Sequence, residues 1–144
     1  MFDKITVQEW MTSPVITVKP GTRIADAHQL MKEKNIRRLL VVDHDVLVGI
    51  VTIGDIREAS PSDATTLSIW ELNYLWAQLT VEKVMTADPL TVSPSTPILD
   101  AAEMMLEHKV AGLPVVDEQK HVLGIITESD LFRMLVRSRT VSAQ

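Results

Sequence analysis

The sequence lacks several features that mark particular classes of protein. It has no cysteine, which excludes disulfide bonds and thiolate metal sites and fits a cytoplasmic protein. No apolar run approaches the roughly 20 residues of a membrane-spanning helix. The first residues, Met1 to Lys4, lack the apolar region of a signal peptide. We therefore expect a soluble, cytoplasmic chain without a membrane span.

An excess of basic residues is also lacking. The net charge is −5 and no long basic run is present, so binding of nucleic acid by phosphate neutralisation is not expected. The histidines lack metal-ligand spacing, which predicts solvated histidines and no metal site. Nucleophile elbows, Walker loops and paired carboxylate sites are missing as well. We expect neither enzyme activity nor a required cofactor.

What the sequence does contain is a long repeat. The segment at 6–12, TVQEWMT, returns at 80–86 as TVEKVMT, at an offset of 74 residues. After one inserted residue the offset is 75, and GIVT at 49–52 returns as GIIT at 124–127. A repeat of this length indicates a duplicated supersecondary unit rather than a solenoid array. We expect the copies to pack with pseudo-twofold symmetry, so that any cleft between them occurs as a pair.

Each copy alternates strand and helix patterns. Apolar and β-branched residues predict strands at 15–18, 39–42 and 46–51 in the first copy and at 90–92, 113–116 and 121–126 in the second. Thr22 and Thr96 have the position of helix N-caps, with Pro97 as a first helical residue. Further helices follow from Asp55 and Ser129. The prediction is an α/β fold of two β-α-β-β-α repeats linked by a helical insert.

The boundaries follow from this pattern. The first repeat spans 1–59, the insert 60–79, the second repeat 80–137 and a flexible tail 138–144. The insert begins with a loop signal at 60–63 and continues as an amphipathic helix. Its predicted inward residues are Ile69, Leu72, Leu75 or Trp76, and Leu79. Trp70 and Tyr74 lie partly off this stripe, so the helix is either a lid or partner surface or a linker packed on its own domain.

The repeated element Gly-Ile-Val/Ile-Thr-x-x-Asp ends a strand and starts a helix, and its residues alone leave two interpretations open. Thr-x-x-Asp at a helix start satisfies free backbone N–H groups, much as a capping box does. The same geometry suits a ligand, because a helix N-terminus attracts an anion such as phosphate. The Thr hydroxyl can then donate to phosphate, and the carboxylate can accept hydrogen bonds from two ribose hydroxyls.

These motifs resemble those of a tandem pair of CBS domains, the regulatory module also called a Bateman module. The matching residues are the Met-Thr near the start of each copy, the Val-Val-Asp at a strand end and the Gly-h-h-Thr-x-x-Asp-h element, where h is apolar. The resemblance covers almost the whole chain. It implies an interface with two clefts, each binding an adenine nucleotide or a related adenosyl compound. It also implies a homodimer formed through helices such as the last one, which is apolar on more than one side.

Carried over residue by residue, the resemblance implies clefts that combine the Thr and Asp of one copy with the strand starts of the other. The main cleft would hold Met11, Thr12, Ile16, Ile36, Arg37, Arg38, Thr127, Ser129 and Asp130. The second, weaker cleft would hold Thr52, Asp55, Met85, Thr86, Leu90, Val110, Ala111 and Gly112. In each cleft the Asp matches a ribose-binding position and the Thr a phosphate-side hydroxyl.

The two implied clefts differ in charge. Arg37 and Arg38 match the position of phosphate-binding basic residues in proteins resembling the γ subunit of the AMP-activated kinase, whereas the second copy has Ala111 and Gly112. Arginine makes strong, bidentate contacts to phosphate, so the main cleft is expected to favour a phosphorylated ligand. The alternative for the two arginines is an ordinary solvated basic pair.

The function that follows is a non-catalytic, regulatory module that senses AMP, ADP or ATP in the inter-repeat cleft and acts in trans on an unidentified partner protein. One alternative is an interaction or scaffold dimer with vestigial clefts. Another is a sensor of S-adenosylmethionine-type ligands. An enzyme acting on adenosyl substrates is disfavoured because no base–nucleophile pair is visible in the sequence.

Overall fold

The chain divides into two compact units whose limits differ from those of the sequence repeats. A computed structural model describes residues 2–59 and 68–142, so the loop signal predicted at 60–63 lies outside the described residues. The central unit is Ile16–Pro89, and the terminal unit joins Met1–Val15 to Leu90–Gln144. The opening segment of each repeat therefore belongs to the unit that carries the rest of the other repeat.

The described residues form seven helices and six strands. In chain order these are α1 (Val7–Trp10), β1 (Thr17–Val18), α2 (Ile24–Lys34), β2 (Arg38–Asp43), β3 (Val46–Thr52), α3 (Ile53–Ala59), α4 (Ile69–Gln78), α5 (Val81–Val84), β4 (Thr86–Ala87), α6 (Ile98–His108), β5 (Gly112–Val116), β6 (Val122–Thr127) and α7 (Glu128–Ser142). The predicted α/β class is confirmed, and β1-α2-β2-β3-α3 follow the predicted order of the first repeat.

The central unit is built on a four-stranded sheet of order β1-β2-β3-β4. β1 is parallel to β2, and the β2–β3 and β3–β4 pairs are antiparallel. Every second residue of β3 is buried, so one face of this strand lies on the core. α2 covers the core with Ile24, Ala27 and Met31, whose i, i+3, i+7 spacing places them on one side of the helix.

The terminal unit repeats this plan with shorter outer strands. β5 and β6 form an antiparallel pair. Val92 bridges Val115 in parallel, and Thr12 bridges Ile125 in antiparallel orientation. These bridges occupy the positions that β1 and β4 take in the central unit. The strand predicted at 90–92 is thus reduced to a single bridge.

The strand predicted at 15–18 is also shortened, to Thr17–Val18. The chain turns immediately after each short strand. Thr22 Oγ1 accepts a hydrogen bond from Lys19 N (3.2 Å), and Thr96 Oγ1 accepts one from Ser93 N (3.0 Å). Both hydroxyls therefore close the turn before a helix. The prediction that Thr22 and Thr96 cap α2 and α6 is wrong, because their side chains are used one step earlier in the chain.

The actual N-cap positions are Arg23 and Pro97, one residue later than predicted, and neither makes a side-chain cap hydrogen bond. The first N–H of α2 donates to Leu79 O (3.0 Å), and that of α6 donates to Ile5 O (2.9 Å). A distant backbone carbonyl therefore does what a capping side chain would otherwise do. In both units that carbonyl belongs to the residue just before the repeated opening segment, which is 6–12 in one repeat and 80–86 in the other.

The insert helix α4 exposes aromatic side chains. Its N-cap Ser68 accepts a hydrogen bond from Glu71 N (3.2 Å). Of the residues predicted to face inward, Leu72, Trp76 and Leu79 are partly buried. Leu75 was one of two alternatives for that stripe, and it is 52% exposed because Trp76 takes the inward position. Trp70 is 85% exposed and Tyr74 66%, as expected for residues off the stripe.

The last helix, α7, is longer than predicted and has two apolar sides. It continues to Ser142, through most of the segment predicted as a flexible tail. Met134 is buried in the core of the terminal unit. Phe132 is 63% exposed and Val136 57%. The helix therefore covers its own unit with one side and presents apolar side chains to solvent with another.

Two glycines give the opening segments room to approach the sheets. A Cβ on Gly124 would lie 2.7 Å from the sulfur of Met11 and 2.9 Å from the carbonyl oxygen of Thr12. Gly49 makes the same close approach to Met85. Neither glycine has a positive φ, so each is required for space rather than for backbone conformation. The glycine of each Gly-h-h-Thr element thus accommodates the Met-Thr of the other repeat.

We expect Gly124→Ala and Gly49→Ala to lower the free energy of unfolding by about 1–3 kcal/mol, the usual cost of overpacking. Urea denaturation followed by circular dichroism measures this change. Gly21→Ala is the matched control, because a Cβ there meets no atom within 4 Å. A loss at position 124 no larger than the loss at position 21 would show that the close approach is not required.

Candidate functional site

The two Thr-x-x-Asp elements adopt the same local structure at the β3–α3 and β6–α7 junctions. In the terminal unit, Thr127 N donates to Asp130 Oδ2 (2.9 Å) and Asp130 N donates to Thr127 Oγ1 (3.4 Å). In the central unit, Thr52 N donates to Asp55 Oδ2 (2.8 Å) and Asp55 N donates to Thr52 Oγ1 (3.2 Å). Both elements therefore satisfy helix-start N–H groups, as the capping interpretation expects. Capping uses one oxygen of each carboxylate and leaves the other for further contacts.

Asp130 is the one charged residue that is fully buried in the described part of the chain, at 1% exposure. Its Oδ1 accepts hydrogen bonds from Thr12 Oγ1 (2.9 Å) and Arg133 Nη1 (2.7 Å). Its Oδ2 accepts a second bond from Thr127, through Oγ1 at 3.1 Å. A buried carboxylate is costly unless it is paired and hydrogen-bonded, and these contacts meet that requirement.

Arg133 is a site residue that the sequence analysis missed. Its guanidinium forms an ion pair with the buried Asp130 while 46% of its own side chain stays exposed. The signal was present, because a cation three residues after an acid on a helix can pair with it. The corresponding position after Asp55 holds Glu58, which has the opposite charge.

Asp55 has fewer contacts than Asp130. It is only partly buried, and among residues 2–59 and 68–142 no hydrogen bond to its Oδ1 is found. Thr86, the counterpart of Thr12, joins the sheet through its pairing with Ile50. No hydrogen bond between the Thr86 and Asp55 side chains occurs in the described part of the chain. Among the described residues, Asp55 therefore has one carboxylate oxygen without a donor, whereas both oxygens of Asp130 accept hydrogen bonds.

In the terminal unit, the predicted site residues gather around Thr127. Gly112 is its strand partner, Glu128 N donates to Ala111 O (3.0 Å), and Thr12 N donates to Ile125 O (2.8 Å). The other predicted residues of this unit are Met11 and Val110, which pack against its core, and the exposed Ser129 and Leu90.

In the central unit, the basic pair lies next to the Asp55 element. Arg38 is the strand partner of Thr52, and Ile53 N donates to Arg37 O (2.9 Å). Arg37 is exposed and Arg38 is partly buried. The remaining predicted residues of this unit, Ile16, Ile36 and Met85, pack against its core. The predicted clefts draw residues from both units, and that grouping stays a prediction.

Other chemistry is sparse in the described residues. Residues 2–59 and 68–142 contain no group of three or more His, Asp or Glu side chains that could hold a metal ion. His121 pairs with Asp117 (Nδ1–Oδ2, 3.0 Å) in the β5–β6 turn. The hydrogen bond from the His121 backbone N–H lowers the pKa of the Asp117 carboxyl. Within the same described ranges, no helix combines the length and apolarity needed to cross a membrane.

Two solved structures with a similar fold contain adenosyl ligands. CBSX2 in complex with AMP is 35% identical, with a TM-score of 0.78, and the match covers 92% of this chain and 97% of that one. The CBS domain pair of protein MJ0100, in complex with 5′-methylthioadenosine and S-adenosyl-L-methionine, is 30% identical, with a TM-score of 0.77 and the same coverage. A Methanocaldococcus jannaschii protein, described as a putative archaeal homologue of the γ subunit of the AMP-activated kinase, has a TM-score of 0.83 at 30% identity. That match covers 92% of this chain and 48% of that protein.

Curated relatives include longer proteins. A homoserine O-acetyltransferase of Methanococcoides burtonii is 36% identical over 131 residues, which are 90% of this chain but 24% of the enzyme. The chain also spans 49% of a Methanocaldococcus jannaschii relative. It therefore spans a quarter to a half of the length of these relatives. The CBS domain family model matches residues 7–62 and again 81–137. With two matches over most of its length and the same fold as solved CBS pairs, the chain belongs to the CBS domain family.

Proposed function

We propose that this chain is a regulatory module that binds adenine nucleotides at its Thr-x-x-Asp elements and passes the occupancy to a partner protein. The observation that carries the proposal is the pair of carboxylates, Asp55 and Asp130, each fixed at a strand–helix junction by its own Thr. The AMP complex of CBSX2 supports the ligand class, because that structure shares the fold over 92% of the chain.

The chemistry of the elements suits a nucleoside. A carboxylate held by backbone N–H groups can accept hydrogen bonds from two vicinal hydroxyls, as acidic residues do at ribose in dinucleotide folds. Asp55 Oδ2 accepts the N–H of Thr52 at 2.8 Å, which fixes the carboxylate in place before a ligand arrives. Apolar side chains at Ile16, Ile36, Leu90 and Val110 are proposed as walls for the adenine ring.

The basic pair is proposed as the source of phosphate affinity. Arg37 and Arg38 were expected in the Asp130 cleft, and within the central unit they also adjoin Thr52. That position supports a phosphate-binding role together with the Asp55 element. A guanidinium pair binds phosphate through charge-assisted hydrogen bonds, so the phosphate should add affinity over the nucleoside alone.

Signalling to a second protein is proposed to use the exposed apolar helices. Trp70 and Tyr74 on α4, and Phe132 and Val136 on α7, are more than half exposed. Exposed apolar groups of this size mark interaction surfaces when they lie together on one element. A nucleotide shifts the population of conformations only if it binds one arrangement better than the other, and these surfaces would report that shift. We propose a homodimer formed through α7.

Two alternatives have their own support. A sensor of S-adenosylmethionine-type ligands is favoured by the MJ0100 domain pair, which is bound to S-adenosylmethionine and 5′-methylthioadenosine. An interaction or scaffold protein is favoured by Asp130, whose carboxylate is already satisfied by protein donors. Ligand binding separates these alternatives from the main proposal.

We expect AMP, ADP or ATP to raise the thermal unfolding temperature. A ligand present at 100 times its dissociation constant adds about 2.7 kcal/mol to the stability of the folded state. Differential scanning fluorimetry with each nucleotide, with S-adenosylmethionine and with GMP as a control for the base measures the effect. A shift with S-adenosylmethionine alone would favour the adenosyl sensor, and no shift with any ligand would favour the scaffold.

We expect the double variant Arg37→Ala with Arg38→Ala to weaken AMP binding at least about tenfold, which corresponds to 1.4 kcal/mol, and to leave adenosine binding unchanged. Isothermal titration calorimetry with both ligands measures the difference. The matched control removes two exposed cations of α2, as Lys32→Ala with Lys34→Ala. Equal losses for adenosine and AMP would show that the arginines support the structure rather than the phosphate.

We expect Phe132→Glu with Val136→Glu to convert a dimer into a monomer, because two charges on the exposed side of α7 cannot be desolvated in an apolar contact. Light scattering coupled to size exclusion at micromolar concentration measures the mass. Leu106→Glu is the control, since Leu106 is 81% exposed on α6. A wild-type chain that is monomeric under these conditions would contradict the proposed dimer.

A further inference from the structure

The Asp130 carboxylate has no acceptor position left for a ligand. A carboxylate offers about four lone-pair sites, and four hydrogen bonds reach this one. Thr127 donates two of them to Oδ2, through its backbone N–H and its hydroxyl. Thr12 Oγ1 and Arg133 Nη1 donate the other two, both to Oδ1. A ligand with two vicinal hydroxyls can bind Asp130 only if at least some of these donors leave.

The four donors are not equally free to leave. Thr127 is the last residue of β6, and its strand partner is Gly112. Thr12 is tied to Ile125 by two backbone hydrogen bonds, of 2.8 and 3.0 Å. Arg133 reaches Asp130 with the end of a long side chain, of which 46% is exposed. Its guanidinium can turn into water without any movement of the backbone, whereas the backbone of Thr12 is held by those two hydrogen bonds.

Within residues 2–59 and 68–142, no arginine contacts the Asp55 carboxylate. The residue three positions after Asp55 is Glu58, which is exposed and has no proton to donate when ionised. Among the described residues, only Thr52 N is hydrogen-bonded to the Asp55 carboxylate, at 2.8 Å on Oδ2. The two Thr-x-x-Asp elements thus have the same local fold, but among the described residues only the Asp55 carboxylate has acceptor positions left for ligand hydroxyls.

From this contrast we propose that Arg133 is a positioning residue that closes the Asp130 element to ligand hydroxyls, so that the Asp55 element binds a nucleoside first. This inference rests on the proposed function and specifies how its two elements differ. A ligand binds Asp130 only when it displaces the guanidinium, which lowers its affinity there. The substitution of Glu58 for an arginine one helical turn after Asp55 removes this competition in the central unit. The Thr-x-x-Asp motif is present in both elements and therefore does not by itself decide which element binds the nucleoside first.

The test uses adenosine, a neutral probe that presents two vicinal hydroxyls and no phosphate. In the Asp55→Asn background only the Asp130 element retains its carboxylate. There we expect Arg133→Gln to bind adenosine about tenfold more tightly than the unchanged background by isothermal titration calorimetry, a factor equivalent to 1.4 kcal/mol. Arg133→Lys, which restores a charged donor, should return the affinity towards that of the background. Glu58→Gln in the Asp130→Asn background is the matched control. Because Glu58 is exposed, this substitution should change the affinity for adenosine less than about twofold.

A second measurement leaves Arg133 in place, in case the glutamine variant folds poorly. At adenosine concentrations that saturate one site, we expect binding to be lost in Asp55→Asn and retained in Asp130→Asn. Retention in Asp55→Asn with loss in Asp130→Asn would overturn the proposal. So would an Arg133→Gln chain that binds adenosine more weakly or equally well.

Those overturning outcomes leave the proposed function intact, because adenosine still binds the chain. Failure of the proposed function has a different signature. In that case neither adenosine nor AMP binds the wild-type chain or any variant, and both proposals are rejected together.

Discussion

The structure depends on the close approach of the opening segment of each repeat to a glycine on a strand of the other repeat. At Gly124 the approach brings the backbone of Met11 and Thr12 to the edge of β6, and at Gly49 it brings Met85 to β3. The residues just before these segments also satisfy helix starts. Ile5 O accepts a hydrogen bond from the first N–H of α6, and Leu79 O accepts one from the first N–H of α2. A hydrogen atom in place of a methyl group at two positions thus allows each unit to complete its sheet with chain from the other repeat.

That exchange has a chemical consequence at the carboxylates. Because residues 1–15 fold with the second repeat, the hydroxyl of Thr12 reaches Asp130 across 118 positions of sequence. The contact adds a donor to a carboxylate that is fully buried, and Arg133 completes its environment. The equivalent exchange in the central unit brings Thr86 to β3 through its pairing with Ile50. Duplicated sequence has therefore produced two carboxylates with different surroundings: Thr12 and Arg133 both contact Asp130, whereas Thr86 and Glu58 make no hydrogen bond to Asp55 in the described part of the chain.

Sequence patterns predicted the fold class and the positions of most elements, because these depend on local periodicity. The spacing of Ile24, Ala27 and Met31 predicted α2, and the strand pairs β2–β3 and β5–β6 lie where apolar runs indicated them. The helix caps were wrong because the hydroxyls of Thr22 and Thr96 had a nearer partner in the preceding turn. The length of α7 was underestimated because residues 138–142 are mostly polar and resemble a frayed end.

The sequence by itself determined the duplication, membership of the CBS family and the two Thr-x-x-Asp elements, since each is written in residues that are close together in the chain. Only the tertiary structure decided which opening segment joins which unit, that Thr12 and Arg133 satisfy Asp130, and that Arg38 pairs with Thr52. These facts depend on distances between residues and on burial, and a one-dimensional pattern contains neither. The sequence shows that an arginine lies three residues after Asp130. That this arginine bonds to a carboxylate that is only 1% exposed can be seen only in the folded chain.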